Sequence, residues 1–135
     1  MQQSPRSDHE TEGIRVQAAA QYLPGESDPD HQLYVYIYRI IISNEGAERA
    51  KLLTRHWVIL DSKGNREDVK GPGVVGEFPD LAAGESFQYL SGCPLRTQWG
   101  TMEGSYIMER ENGDRFSAEI GRFFLVPSAP AIQNI

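Results

Sequence analysis

The sequence predicts an all-β protein, an antiparallel sandwich of about seven strands. Three observations point there. Apolar residues recur at every second position rather than on a helical period. The apolar runs are rich in Val, Ile, Tyr and Phe, which suit a pleated surface. Gly, Asn, Asp and Pro punctuate those runs, and no segment carries the apolar stripe of an amphipathic helix.

The first strand runs from Ile14 to Tyr22, where Ile14, Val16, Ala18 and Ala20 alternate with Arg15, Gln17 and Gln21, and Pro24-Gly25 stops it. The second runs from Leu33 to Ser43 and turns at Asn44-Glu45-Gly46. Arg39 marks its odd positions as outward, so Tyr34, Tyr36, Tyr38, Ile40 and Ile42 are expected in the core. Leu52 to Asp61 follows, anchored by Trp57 with Ile59 on the same face. Ser62-Lys63-Gly64-Asn65 is a tight turn, because Gly and Asn tolerate positive φ. Arg66 to Lys70 is short and polar, an edge strand. Phe87 to Ser91 comes after the turn Ala82-Ala83-Gly84-Glu85. Gly104 to Arg110 and Arg115 to Val126 form a hairpin around Glu111-Asn112-Gly113-Asp114, with Tyr106 and Met108 facing Phe116, Ala118 and Ile120. Strands at this spacing suit an immunoglobulin or fibronectin type III sandwich, with a closed barrel as the alternative. Residues 1–12 are polar and read as a disordered tail. Residues 13–126 form the body, and residues 127–135, broken by Pro127 and Pro130, read as a flexible C-terminal tail.

At 135 residues the chain fits one domain with a real core. Thirteen Lys and Arg against nineteen Asp and Glu give a net charge of −6. That field opposes broad capture of nucleic acid or of an anionic membrane, so neither is expected as a partner. No apolar run is long enough to span a bilayer, and the N-terminus has no apolar segment of a secretory signal. The single cysteine, Cys93, excludes an internal disulfide and suits a reducing, cytoplasmic setting.

Candidate chemistry is sparse. Gly71-Pro72-Gly73-Val74-Val75-Gly76 has the spacing G-x-G-x-x-G, with which a backbone approaches phosphate oxygens. Its dinucleotide context is missing: the preceding strand is polar, and Pro79 blocks a following helix. The motif reads as a glycine-rich inter-strand loop, with an anion nest at Gly71, Gly73 and Gly76 as the functional alternative. His9, His31 and His56 have no ligand spacing, and Asp28, Asp30 and His31 read as a solvated turn, so no metal site or cofactor is expected. Cys93 lies in Ser91-Gly92-Cys93-Pro94 with nothing nearby to lower its pKa, and reads as buried and inert. No catalytic constellation is visible. The outward positions Val35, Ile37 and Ile41 are apolar where a solvated face would be polar. Either a loop, tail or edge covers them, or they meet a partner or a second copy of the chain. Trp99 is a second interface candidate, an aromatic on a loop.

Several blocks together resemble the bacterial ApaG family: Arg55-His56-Trp57-Val58-Ile59 running to Gly64, the glycine loop with Pro79, Gly84-Glu85-Ser86-Phe87-Gln88-Tyr89, Ser91-Gly92-Cys93, and Gly100-Thr101-Met102-Glu103-Gly104-Ser105-Tyr106. The likeness covers nearly all of residues 13–126. It implies a fibronectin type III-like sandwich. It also implies a link to cobalt tolerance and magnesium efflux, and a kinship of name and genomic setting with a diadenosine-polyphosphate hydrolase without that activity. Eukaryotic copies of the domain look like protein-interaction modules. The family carries no established catalytic residues; only the glycine loop, as a suggested pyrophosphate site, transfers to Gly71, Gly73 and Gly76. Thr97-Gln98-Trp99 departs from the Thr-Pro often found there. The expected function is therefore a non-enzymatic protein-interaction module. The alternatives are pyrophosphate or nucleotide binding at the glycine loop, or an indirect role in divalent-cation handling.

Overall fold

Alternation and turn chemistry resolve into nine strands in a computed structural model that describes residues 4–132. One sheet has the order β1 (Arg6–Thr11), β2 (Ile14–Tyr22), β3 (Tyr34–Asn44) and β7 (Ser86–Leu95). The other has β5 (Arg66–Pro72), β4 (Ala50–Asp61), β8 (Gly100–Glu109) and β9 (Arg115–Leu125), with the short β6 (Asp80–Leu81) on the start of β4. Every pairing between them is antiparallel. The sandwich class and the seven expected strands are all present, and β1 and β6 are additional. Between β2 and β3 the chain makes two single 3-10 turns, Pro24–Glu26 and Pro29–His31. No helix among the described residues is long and apolar enough to cross a membrane.

The faces follow the alternation. Val16 opposes Ile42, Ala18 opposes Ile40 and Ala20 opposes Tyr38, all pointing inward. From the other sheet Tyr106 opposes Ala118 and Met108 opposes Phe116, as expected. Trp57 is 3% exposed and lies at the centre. Its ring meets Tyr38, Tyr106 and Phe123 edge-on, at centroid distances of 5.3, 6.5 and 6.0 Å. Asn44 is buried with its polar atoms used: Nδ2 donates to Glu48 O and Leu81 O, and Oδ1 accepts from Gly46 N. It fixes the crossing from β3 to β4 without an orphaned polar group.

The N-terminal segment corrects the sequence reading. Arg6–Thr11 is not a disordered tail but strand β1, paired with β2 from Arg6↔Ala19 to Thr11↔Ile14. Glu12 and Gly13, at φ 48° and 87°, make the two-residue turn that joins them. Ser7, His9 and Thr11 point toward β9, where Thr11 Oγ1 accepts from Glu119 N at 3.2 Å and Gly121 offers no side chain against Ser7. A strand built on polar residues leaves no apolar alternation to read, because its stability comes from the ladder and from closing one side of the sandwich. The expected C-terminal tail has no strand in residues 127–132. It is anchored at Ile132, which is 7% exposed and donates its N–H to Gln21 Oε1 at 2.8 Å. Residues 1–3 and 133–135 of the expected tails lie outside the described residues.

Candidate functional site

The glycine-rich loop turns its carbonyls, not its amides, toward a charged group. Gly71 and Pro72 end β5; Val74 and Glu77 then pair, each N–H bonded to the other's carbonyl at 2.9 and 2.8 Å. The two residues between them, Val75 and Gly76, have φ of 44° and 80°. Gly76 takes that conformation freely, whereas Val75 is β-branched and is held there because Val74 is locked in the core. Gly73, at φ 60°, is required sterically: a Cβ on it would lie 2.4 Å from Glu77 O. The amides of Gly73, Val74 and Glu77 are thus engaged with Leu53 O, Glu77 O and Val74 O. The carbonyls of Pro72 and Gly73 accept from Arg55 Nη1 at 2.8 and 3.0 Å. The guanidinium lies over Gly71, where a Cβ would stand 2.9 Å from Nη2 and 3.1 Å from Cζ. Each of the three glycines therefore has a local structural cause, and Gly71 and Gly73 seat an arginine.

Arg55 belongs to a cleft that the sequence reading did not assemble. β1 and β9 close one side of the sandwich; on the other, the edges of β5 and β7 stand apart. Between them lies a cavity of about 260 Å³ lined by Trp57, Tyr38, Val69, Cys93, Met102 and Arg55, with Ser91 and Glu67 at its polar margin. The clue available in the sequence was parity: Arg55 shares the inward face with Trp57 and Ile59, and a charged residue at an inward strand position needs a reason. Among the described residues Arg55 forms no ion pair with a carboxylate, while seven other Arg or His side chains do.

Burial controls ionisation around this cleft. It pushes the Cys93 thiol up to about 12, with the Glu67 charge adding to the effect. Burial likewise raises the phenols of Tyr36, Tyr38, Tyr89 and Tyr106; a Ser91 hydrogen bond partly offsets it at Tyr38. In the unfolded chain a thiol ionises near pH ~8.5 and a phenol near ~10. The folded state therefore holds more protons at high pH, and its stability is fully present near pH 7, begins to fall as pH rises through about 8.5 where the unfolded thiol ionises, and falls further through about 10 where the unfolded phenols do. Urea midpoints at pH 8 and pH 10.5 are expected to show that fall, and Cys93 is expected to react with a thiol reagent at pH 8 only as fast as the fold opens. A flat profile, or thiol labelling at the rate of a free cysteine, would contradict it.

The expected interface residues fall on opposite faces. Val35, Ile37 and Ile41 lie on the outward side of β3, half-buried between β2 and β7. Ile37 shares a cross-strand row with Gln21, the residue that ties down Ile132, so the C-terminal segment returns to this side. Trp99 sits on the β7–β8 loop and stacks on Phe124 at 6.2 Å, on the outward side of the other sheet. Its loop is tied down: Gln98 O accepts from the Tyr36 hydroxyl, and Thr97 Oγ1 accepts from Ser62 N. The histidines make local pairs, His56 Nε2 with Asp68 Oδ2 and His31 Nδ1 with Asp28 Oδ2, each at 2.7 Å. The Arg66 guanidinium and then His56 hold the Asp68 carboxyl well below the usual range. No group of three or more His, Cys, Asp or Glu among the described residues is placed to hold a metal ion.

A family model described as the ApaG domain matches residues 24–110. The chain is 50% identical over 119 residues to Protein ApaG of Aromatoleum aromaticum, covering 88% of this chain and 94% of that one. It matches Protein ApaG of an Azoarcus species at the same identity and the same coverage, 50% over 119 residues, 88% and 94%. Among solved structures it is similar to a crystal structure of an ApaA protein from Bordetella pertussis, with TM-score 0.83, 41% identity, and coverage of 93% and 97%.

Proposed function

This chain belongs to the ApaG family, and we propose that it acts as a non-enzymatic protein-interaction module that docks a partner on the outward face of the sheet β1-β2-β3-β7. The observation that carries the reading is the apolar set Val35, Ile37 and Ile41 on that face, with Arg39 between Ile37 and Ile41 and Leu90 of β7 beside it. A solvated sheet face normally presents polar residues at such positions, and apolar residues gathered on one mark an interaction surface. Beside it a groove of about 290 Å³ is floored by Ala19 and Ile41 and rimmed by Arg6, Asp8 and Arg39. Apolar side chains set beside charged ones, with Arg39 among them, offer a partner both packing and polar contacts.

The test is a pair of substitutions, Val35→Glu and Ile37→Glu, made together. The variant is expected to stay folded and to lose about 1–2 kcal/mol of stability by urea denaturation, because both side chains are outward but half-buried. In a pull-down from native lysate it is expected to lose a protein that wild type retains specifically. Light scattering on both proteins separates a second copy of the chain from a different partner. Retention of the same proteins by the variant would reject this face as the docking surface.

A further inference from the structure

We propose that the cleft between the β5 and β7 edges binds a small organic monocarboxylate with a compact apolar body, and that Arg55, seated by the glycine-rich loop, is its anchor. The cleft has the make-up of a ligand site, a mostly apolar wall with a few polar groups converging on it. Trp57, Ile59, Val69, Pro94 and Met102 supply the apolar wall, and Tyr38 and Ser91 bring hydroxyls into the same space. Arg55 Nη1 is engaged with Pro72 O and Gly73 O, which fixes the plane of the guanidinium. Its Nε and Nη2 donors are bonded to no group among the described residues, and together they match the two oxygens of a carboxylate. A cation held this way is prepared before a ligand arrives, so little ordering cost remains at binding.

Charge sets the class of ligand. Glu67 lines the same cleft, and the chain carries −6 overall. A pyrophosphate or nucleotide would bring two or more negative charges against one arginine and beside that carboxylate. A monocarboxylate brings one, which Arg55 neutralises. A cavity of about 260 Å³ admits a body of roughly one ring, not a nucleotide with its polyphosphate. The site is separate from the outward face of β3, so its success or failure is independent of the interaction-module reading.

Benzoate is the probe, followed by amide NMR on the full chain, with benzamide as its uncharged counterpart. Saturable shifts are expected at Val69, Ser91, Gly92, Cys93 and Met102, with a dissociation constant on the order of 1 mM for so small a ligand. Benzamide is expected to bind about tenfold or more weakly, since it lacks the charge that Arg55 recognises. Arg55→Gln is expected to abolish the shifts. Because that change also removes a support of the loop, Gly71→Ala is the second variant. Its Cβ displaces only the far end of the Arg55 side chain, and Gly71 has no positive φ, so the fold survives while the anchor moves. It is expected to weaken benzoate fivefold or more, by about that order for a displaced charge-assisted pair. Glu67→Gln, on an exposed side chain, is expected to tighten benzoate about twofold by removing a like charge. Absence of saturable shifts, equal binding of benzamide, or an unaltered affinity in Gly71→Ala would each overturn the proposal.

Discussion

Trp57→Ala is expected to cost about 3–5 kcal/mol of stability, the range for emptying a large aromatic site in a core. Trp57 is nearly fully buried, and its ring meets Tyr38 across the sandwich and Tyr106 and Phe123 within its own sheet. Each edge-on pair contributes roughly 0.5–1.5 kcal/mol beyond the area it buries. The truncation would therefore remove contacts between the sheets as well as volume. One feature of the surroundings works the other way: Trp57 also lines the cleft, so the vacated space opens to water rather than remaining an enclosed void. That places the cost toward the lower end of the range. Urea denaturation with linear extrapolation measures it, and a loss below about 1 kcal/mol would remove Trp57 from the centre of the core.

Gly104→Ala is expected to destabilise by about 3 kcal/mol or more, at the upper end for overpacking a well-filled interior. The reason is backbone, not side chain. Gly104 lies on β8 opposite Trp57 of β4, next to the irregularity between Met102 and Gly104 in the pairing with β9. A Cβ there would stand 2.1 Å from His56 O and 3.2 Å from Trp57 Cα, atoms of a central strand that cannot yield without breaking its ladder. Gly25→Ala is the control, since nothing lies within 4 Å of its Cβ position and its φ is not positive. It is expected to stay within about 0.5 kcal/mol of wild type. The two variants compared by urea midpoint would separate a steric requirement at residue 104 from a general effect of replacing glycine. A Gly104→Ala protein within about 1 kcal/mol of wild type would show that β8 and β4 can part there at little cost.

The glycine loop shows how a motif and its geometry can point in opposite directions. The pattern G-x-G-x-x-G is read as a backbone that offers amides to phosphate, and the same flexibility also permits the reverse. Here Gly73 and Gly76 take positive φ to make a tight hairpin end, and Gly71 leaves room for a guanidinium. The amides of Gly73, Val74 and Glu77 are bonded within the fold, and the carbonyls of Pro72 and Gly73 meet Arg55. Spacing alone carries no information about which polar edge of the backbone is presented, because both follow from the same small residue. That sign is set by which neighbouring strand brings a side chain, here β4.

The sequence by itself determined what local periodicity can encode: the all-β class, the inward set from Tyr36 to Ile42, Trp57 as anchor, the closing hairpin, and the blocks that resemble the ApaG family. These are decided by alternation, by turn residues and by burial of the nearest apolar side chains, each legible within a few positions. Three features were decided only in three dimensions. Strand β1 has no apolar signature, because its support is a ladder to β2 and the cover it gives β9. Trp99 and the Val35, Ile37 and Ile41 row fall on opposite sides of the sandwich, because sheet membership depends on the crossings between strands rather than on apolar character. The cleft with Arg55 exists because β5 and β7, near in sequence but in different sheets, are the two edges left apart when β1 and β9 close the other side. A pattern of period two says which way a side chain points from its own strand; only the packing of one sheet on the other says what it points at.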